Sequence, residues 1–235
     1  MGSVAWRGAA PRAVLFDLDG TLIDTAADIA LALNSTLAER GIAPLGEAEV
    51  RKLIGRGAPA LIARALRMRG IGAAAEEQEH LHDRFIGHYA ALQEQGRSRA
   101  VAYPGAAAAL DDLAAAGLGL AVVTNKARRL AVAALEHAGM HEAVRIVVGG
   151  DSCERRKPDP EPLLFACRQL AIAPDAALMV GDSVNDVTAA RAAGMRVVCV
   201  PYGYNEGNDP RALPCDGFIA TLAELKDLLG RPTWH

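Results

Sequence analysis

Asp17-Leu18-Asp19-Gly20-Thr21 sets two carboxylates two residues apart, directly after the apolar run Ala13–Phe16. The run reads as a short buried strand and Gly20 breaks it. The acids therefore stand where a strand opens into a loop, the place where open α/β sheets bind their ligands. Paired acids repel unless a cation or a shared proton relieves them. Polar residues recur at later strand ends: Thr124-Asn125, and then Asp182, Ser183, Asn185 and Asp186. Asp17, Asp19 and Asp182 offer oxygen ligands that suit Mg²⁺. Lys157 lies in Arg155-Arg156-Lys157-Pro158-Asp159-Pro160-Glu161-Pro162, where the prolines restrict the backbone and let one ammonium be placed accurately. Only four of the 25 basic residues are lysine, and two of these, Lys126 and Lys157, fall in the polar segments. A carboxylate nucleophile, a second carboxylate, a hydroxyl, an ammonium and a divalent cation suit phosphoryl transfer, whose non-bridging oxygens need neutralising.

The elements that must carry these groups follow from apolar patterning. Strands are predicted at 118–123, 145–148, 177–180, 196–200 and, more weakly, 217–220. Helices are predicted between them at 106–116, 127–138, 161–170, 184–193 and 222–229. Repeated βα order with nearly continuous apolar strands predicts a parallel sheet covered on both faces. Residues 24–99 show no strand pattern. Amphipathic helices are predicted there at 26–40, 47–53, 59–69 and 75–95. The expected organisation is an α/β core from residues 1–23 and 100–235 with a helical insert at 24–99.

Composition narrows the partners. A net charge of −3 over 235 residues gives no electrostatic case for nucleic acid. No apolar run approaches the roughly 18–20 residues of a membrane span. Residues 1–11 lack the apolar stretch of a signal peptide and read as a frayed tail. Cys153, Cys167, Cys199 and Cys215 form no CxxC pair or metal-ligand spacing, as expected of reduced thiols in a cytoplasmic protein. The expected partner is a small phosphate ester; monomer and homodimer both stay open.

Four segments in order, Asp17–Thr21, Thr124–Lys126, Lys157-Pro158 and Gly181–Asp186, resemble the haloacid dehalogenase superfamily, and the resemblance covers nearly the whole chain after Pro11. It implies a Rossmann-like core with a helical C1-type cap that closes over a phosphate site and selects substrate. It implies Asp17 as nucleophile and metal ligand, and Asp19 as general acid/base with its backbone carbonyl on the metal. It implies Thr124 on the transferring phosphoryl group and Lys157 offsetting charge on Asp17 and phosphate. Mg²⁺ is implied on Asp182 with Asp186 in support, and substrate contacts from Gly20, Thr21, Asn125 and Lys126.

Within the superfamily, Asp17–Asp24 with Thr25, Thr124–Lys126, Val148-Gly149-Gly150-Asp151, Lys157–Pro162 and Tyr202-Gly203-Tyr204-Asn205-Glu206-Gly207 are similar to the bacterial phosphoglycolate phosphatases. That similarity implies hydrolysis of 2-phosphoglycolate. The alternatives are a sugar-phosphate phosphatase and a β-phosphoglucomutase-type mutase. Arg56, between Gly55 and Gly57 in a turn of the insert, is expected to reach the substrate carboxylate through paired hydrogen bonds.

Overall fold

The structure is a computed structural model that describes residues 10–229. The stretch read as a frayed tail lies, up to residue 9, outside the described residues. The chain opens with β1 (Ala13–Phe16) and a two-residue β2 (Ile23–Asp24). Four helices follow: α1 (Ala26–Ala38), α2 (Glu47–Arg51), α3 (Gly57–Met68) and α4 (Ala75–Glu94). Next come β3 (Val101–Ala102), α5 (Ala106–Ala115), β4 (Gly119–Val123), α6 (Arg128–His137), β5 (Ile146–Val148) and α7 (Glu161–Leu170). The chain continues through β6 (Ala177–Gly181), α8 (Val184–Ala192), β7 (Arg196–Cys199), β8 (Gly217–Phe218) and α9 (Leu225–Leu228).

Six strands form one parallel sheet in the order β5-β4-β1-β6-β7-β8. The residues of β1 alternate between two cores. Val14 and Phe16 join Leu120, Val122, Leu178 and Val180 on one face, and Ala13 and Leu15 join Ala121, Val123, Ala177 and Met179 on the other. Both faces are buried, which is why the strands read as continuous apolar runs. From β1 the chain moves outward to β4 and β5, then returns to add β6 on the opposite side. The β1–β6 boundary is thus the reversal point at which α/β sheets open a ligand crevice.

The insert builds its own core. Leu33 and Leu37 of α1, Ile62 and Leu66 of α3, and Leu81, Phe85 and Tyr89 of α4 pack together, and the cluster reaches Leu130 and Tyr204. The i, i+4, i+8 spacing of Leu81, Phe85 and Tyr89 is the apolar stripe that predicts α4. At its base, β2 and β3 pair antiparallel, Ile23 with Ala102 and Asp24 with Val101. This ribbon is not readable from sequence, because two residues are too few to show alternation. The last predicted helix divides into a 3₁₀ turn, Leu222–Glu224, followed by α9. No helix among the described residues is long and apolar enough to cross a membrane.

Candidate active site

The sheet delivers three polar side chains to one place. The Asp17 N–H donates to Val180 O (2.9 Å) and the Thr124 N–H to Val148 O (2.9 Å), so pairing runs one residue past each strand before the chain turns away. Thr124, Asp17 and Asp182 thereby stand at the carboxyl ends of the neighbouring strands β4, β1 and β6. After Asp17, the Leu18 carbonyl accepts from the N–H groups of Thr21, Leu22 and Ile23, which closes a tight turn. Gly20 sits in that turn at φ 94°, and a Cβ on it would lie 2.5 Å from Asp182 Oδ2. Only glycine satisfies both the backbone and this approach.

Lys157 Nζ lies 2.9 Å from Asp17 Oδ1 and 2.6 Å from Asp186 Oδ1, with its side chain buried. Burial opposes its charge, but Asp17 and Asp186 hold its pKa above the ordinary lysine value. The other oxygen of Asp186 accepts from Asp182 N–H (3.2 Å), Ser183 N–H (3.0 Å) and Ser183 Oγ (2.7 Å). Asp186 is therefore committed to Lys157 and to the start of α8. Asp182 is held less completely: Oδ2 accepts from Tyr204 N–H (2.6 Å), and Oδ1 has the Thr21 hydroxyl at 3.3 Å.

Asp17, Asp182 and Asp186 each bring one oxygen within 4.8 Å of the others. Burial pushes Asp17 up to about 7 against the pull of Lys157. Burial and the charge of Asp17 push Asp182 well above the carboxylate range. Three buried acids around one ammonium leave negative charge uncompensated. This all-oxygen donor set suits a hard divalent cation, with Asp17 and Asp182 better able than Asp186 to turn an oxygen to it.

Asp19 takes different partners. Its Oδ1 accepts from Thr25 Oγ1 (2.6 Å) and Lys126 Nζ (3.0 Å). Lys126 is buried, and Asp19 holds it protonated against that burial. Its ammonium also lies 4.1 Å from the ring centre of Tyr89. Asn125 spans core and insert, its amide donating to Lys157 O (2.9 Å) and Gly55 O (3.0 Å). Thr124 lines the cavity over the acids, and its Oγ1 accepts from Lys126 N–H (3.2 Å). The Thr21 hydroxyl meets Asp182, and its carbonyl accepts from Tyr202 OH (3.0 Å).

Arg56 lies at the rim. Its Nε donates to Glu206 Oε1 (2.7 Å), its side chain is 56% exposed, and the cavity is lined instead by the flanking Gly55 and Gly57. Glu206 also takes Arg64 Nη1 (3.0 Å) and Asn185 Nδ2 (3.1 Å). Burial would raise its pKa, but Arg56, Asn185 and Arg64 bring it below the ordinary value. Two arginines of the insert thus meet one carboxylate of the core.

Sequence reasoning did not assign roles to Glu206, Tyr204 or Thr25. Tyr204 OH donates to Asp24 Oδ1 (2.8 Å) and accepts from the N–H groups of Thr25 and Ala26 at the start of α1. The segment from Tyr202 to Gly207 is distinctive, but the partners of the Tyr204 hydroxyl lie some 180 positions earlier.

The sequence pattern of the family described as haloacid dehalogenase-like hydrolase matches residues 14–200. The chain is 44% identical over 227 residues to a phosphoglycolate phosphatase of Rhodospirillum rubrum, covering 94% of this chain and 92% of the relative. It is likewise 44% identical over 219 residues to that of Nitrosospira multiformis, covering 93% and 95%. Among solved structures, a predicted phosphoglycolate phosphatase of Haemophilus somnus superposes with TM-score 0.84 at 30% identity, covering 92% of this chain and 97% of the other. CbbY of Rhodobacter sphaeroides in complex with phosphate superposes at 0.78 and 28% identity, covering 92% and 96%.

Proposed function

Because the chain belongs to the haloacid dehalogenase-like hydrolases and is a phosphatase, we propose that it hydrolyses 2-phosphoglycolate to glycolate and phosphate with Mg²⁺. The observation that carries the chemistry is the buried Asp17–Lys157–Asp186 line with Asp19 beside it. Asp17 attacks phosphorus, the bond from phosphorus to the ester oxygen breaks, and Asp19 protonates the departing alkoxide. Asp19, now a carboxylate, takes a proton from water as the water attacks the aspartyl-phosphate. Phosphate leaves and Asp17 is restored. Lys157 neutralises charge on Asp17 and on the transferring group, while Thr124 donates its hydroxyl to a phosphoryl oxygen. Mg²⁺ held by Asp17, Asp182 and the Asp19 carbonyl would neutralise non-bridging oxygens and bring nucleophile and phosphate together.

The cavity over the acids has Ile29, Ile54, Leu61, Phe85 and Leu130 in its walls. The sugar-phosphate reading draws on CbbY, a variant of which is described in complex with xylulose-1,5-bisphosphate. A mutase would need a bisphosphate activator and release little phosphate. The free cysteines suit a cytoplasmic enzyme.

A phosphate-release screen over phosphoglycolate, sugar phosphates and nucleotides tests the substrate. Excess EDTA should abolish turnover and Mg²⁺ restore it; full activity in EDTA would rule out the metal. Asp182→Ala should raise the Mg²⁺ concentration needed for half-activation far more than Asp186→Asn does. Mg²⁺ should also raise the Tm of the protein without substrate. Because Asp17 is pushed up to about 7, a proton competes with the cation below that pH. The Tm gain should be larger at pH 8 than at pH 5.

The helical insert acts as a cap, latched by Arg56 and Arg64 on Glu206. Glu206→Gln should lower kcat/KM about 3- to 10-fold, alike for phosphoglycolate and an aryl phosphate, since closure serves both. Arg56→Ala should behave in the same way. A loss confined to phosphoglycolate would instead make Arg56 a reader of the substrate.

A further inference from the structure

Tyr89 is the largest fully buried side chain among the described residues, at 1% exposure, and its hydroxyl has no hydrogen-bond partner among them. Buried hydroxyls are nearly always paired, and an unpaired one is destabilising. Its place on the apolar stripe of α4 would make phenylalanine the natural choice for packing alone. Tyr89 nevertheless lines the cavity that holds Asp17, Asp19 and Thr124. Lys126, whose ammonium lies against its ring, lines the same cavity and donates one of its three N–H bonds to Asp19. One hydroxyl donor and one ammonium therefore adjoin Asp19, the residue that protonates the leaving oxygen. Ile29, Phe85 and Leu130 line the same cavity.

We propose that the Tyr89 hydroxyl and the Lys126 ammonium together receive the carboxylate of the substrate, making Tyr89 the specificity-determining residue of the cap. The inference rests on the reading that the substrate is a small phosphorylated acid. The carboxylate accepts from Tyr89 OH and from a second Lys126 proton, two charge-assisted bonds made only when an acid is bound. A neutral ester of the same size leaves the hydroxyl unpaired. The site then rejects it by a missing partner rather than by a clash. Arg56, paired with Glu206 at the rim, is left to hold the cap shut.

The test compares 2-phosphoglycolate with ethyl phosphate, the same two-carbon ester without the carboxylate, in the wild type and in Tyr89→Phe. The preference for phosphoglycolate, as a ratio of kcat/KM values, should fall about 10- to 100-fold in the variant, with ethyl phosphate changed less than about twofold. Without ligand, the variant should melt at or above the wild-type Tm, because it loses an unpaired buried hydroxyl and no hydrogen bond. Equal losses on both esters, or no change on either, would overturn the role of Tyr89 and leave the substrate reading intact. A lower Tm without ligand would show that the hydroxyl is paired in the free protein, and would overturn the role as well. A wild type that turns over both esters alike would overturn the substrate reading, and the role of Tyr89 with it.

Discussion

Asp17→Asn should lower kcat for phosphate release by at least about 10⁴-fold, the scale on which removal of a covalent nucleophile is felt. The carboxamide keeps the shape of the side chain and its place after β1, but its oxygen is a far poorer nucleophile. Stability should change little. Asp17 is already pushed up to about 7 by burial, so the fold has no need of its charge, and Lys157 keeps Asp186 as a partner. A Tm within a few degrees of wild type, together with lost turnover, separates chemistry from folding. The wild type, quenched during turnover, should carry an acid-stable phosphoryl group that hydroxylamine releases; the variant should not. Retention of more than about 1% of kcat would exclude covalent catalysis at this residue.

Lys157→Met should damage both activity and stability, unlike Asp17→Asn. The methionine fills similar volume but leaves Asp17 and Asp186 facing each other in a buried site. Removing one partner of such a pair costs about 3–5 kcal/mol. Part of that loss should be recovered at low pH. With the ammonium gone, Asp17 loses the group that pulls its pKa down and is raised further above its unfolded value, so the folded state binds more protons than the unfolded state. Stability then falls as pH rises from the unfolded carboxylate pKa to the raised folded pKa of Asp17. Thermal melts at pH 5 and pH 8 check this, and the gap between variant and wild type should be smaller at pH 5. At neutral pH kcat should fall by about 10³-fold or more, since nothing else neutralises Asp17 and phosphate together. A variant with unchanged Tm at pH 8 would show that the Lys157 contacts carry little energy.

The division between what could be read early and what could not runs through particular residues. Ala13–Phe16 ending at Asp17, and Ala177–Gly181 ending at Asp182, were legible because buried parallel strands are continuous apolar runs that stop where the chain turns. Helices α1 to α4 were legible from their stripes. Lys157 could be picked out because lysine is scarce in this chain. The β2–β3 ribbon was not, since four residues carry no period. Lys126 could be marked as important but not placed: its ammonium turns to Asp19 and the Tyr89 ring, a choice made by three segments distant in sequence.

By itself the amino-acid sequence determined the α/β core, the helical insert and the acids at the strand ends, all of which follow from local periodicity and from where apolar runs break. Only the tertiary structure decided who meets whom. It joined Arg56 and Arg64 to Glu206, set Tyr204 on both Asp182 and the start of α1, and buried the Tyr89 hydroxyl without a partner in the cavity. Those contacts depend on the relative placement of elements some 20 to 180 positions apart. A side chain's local pattern fixes the face it stands on, whereas its partner is fixed by how that face packs.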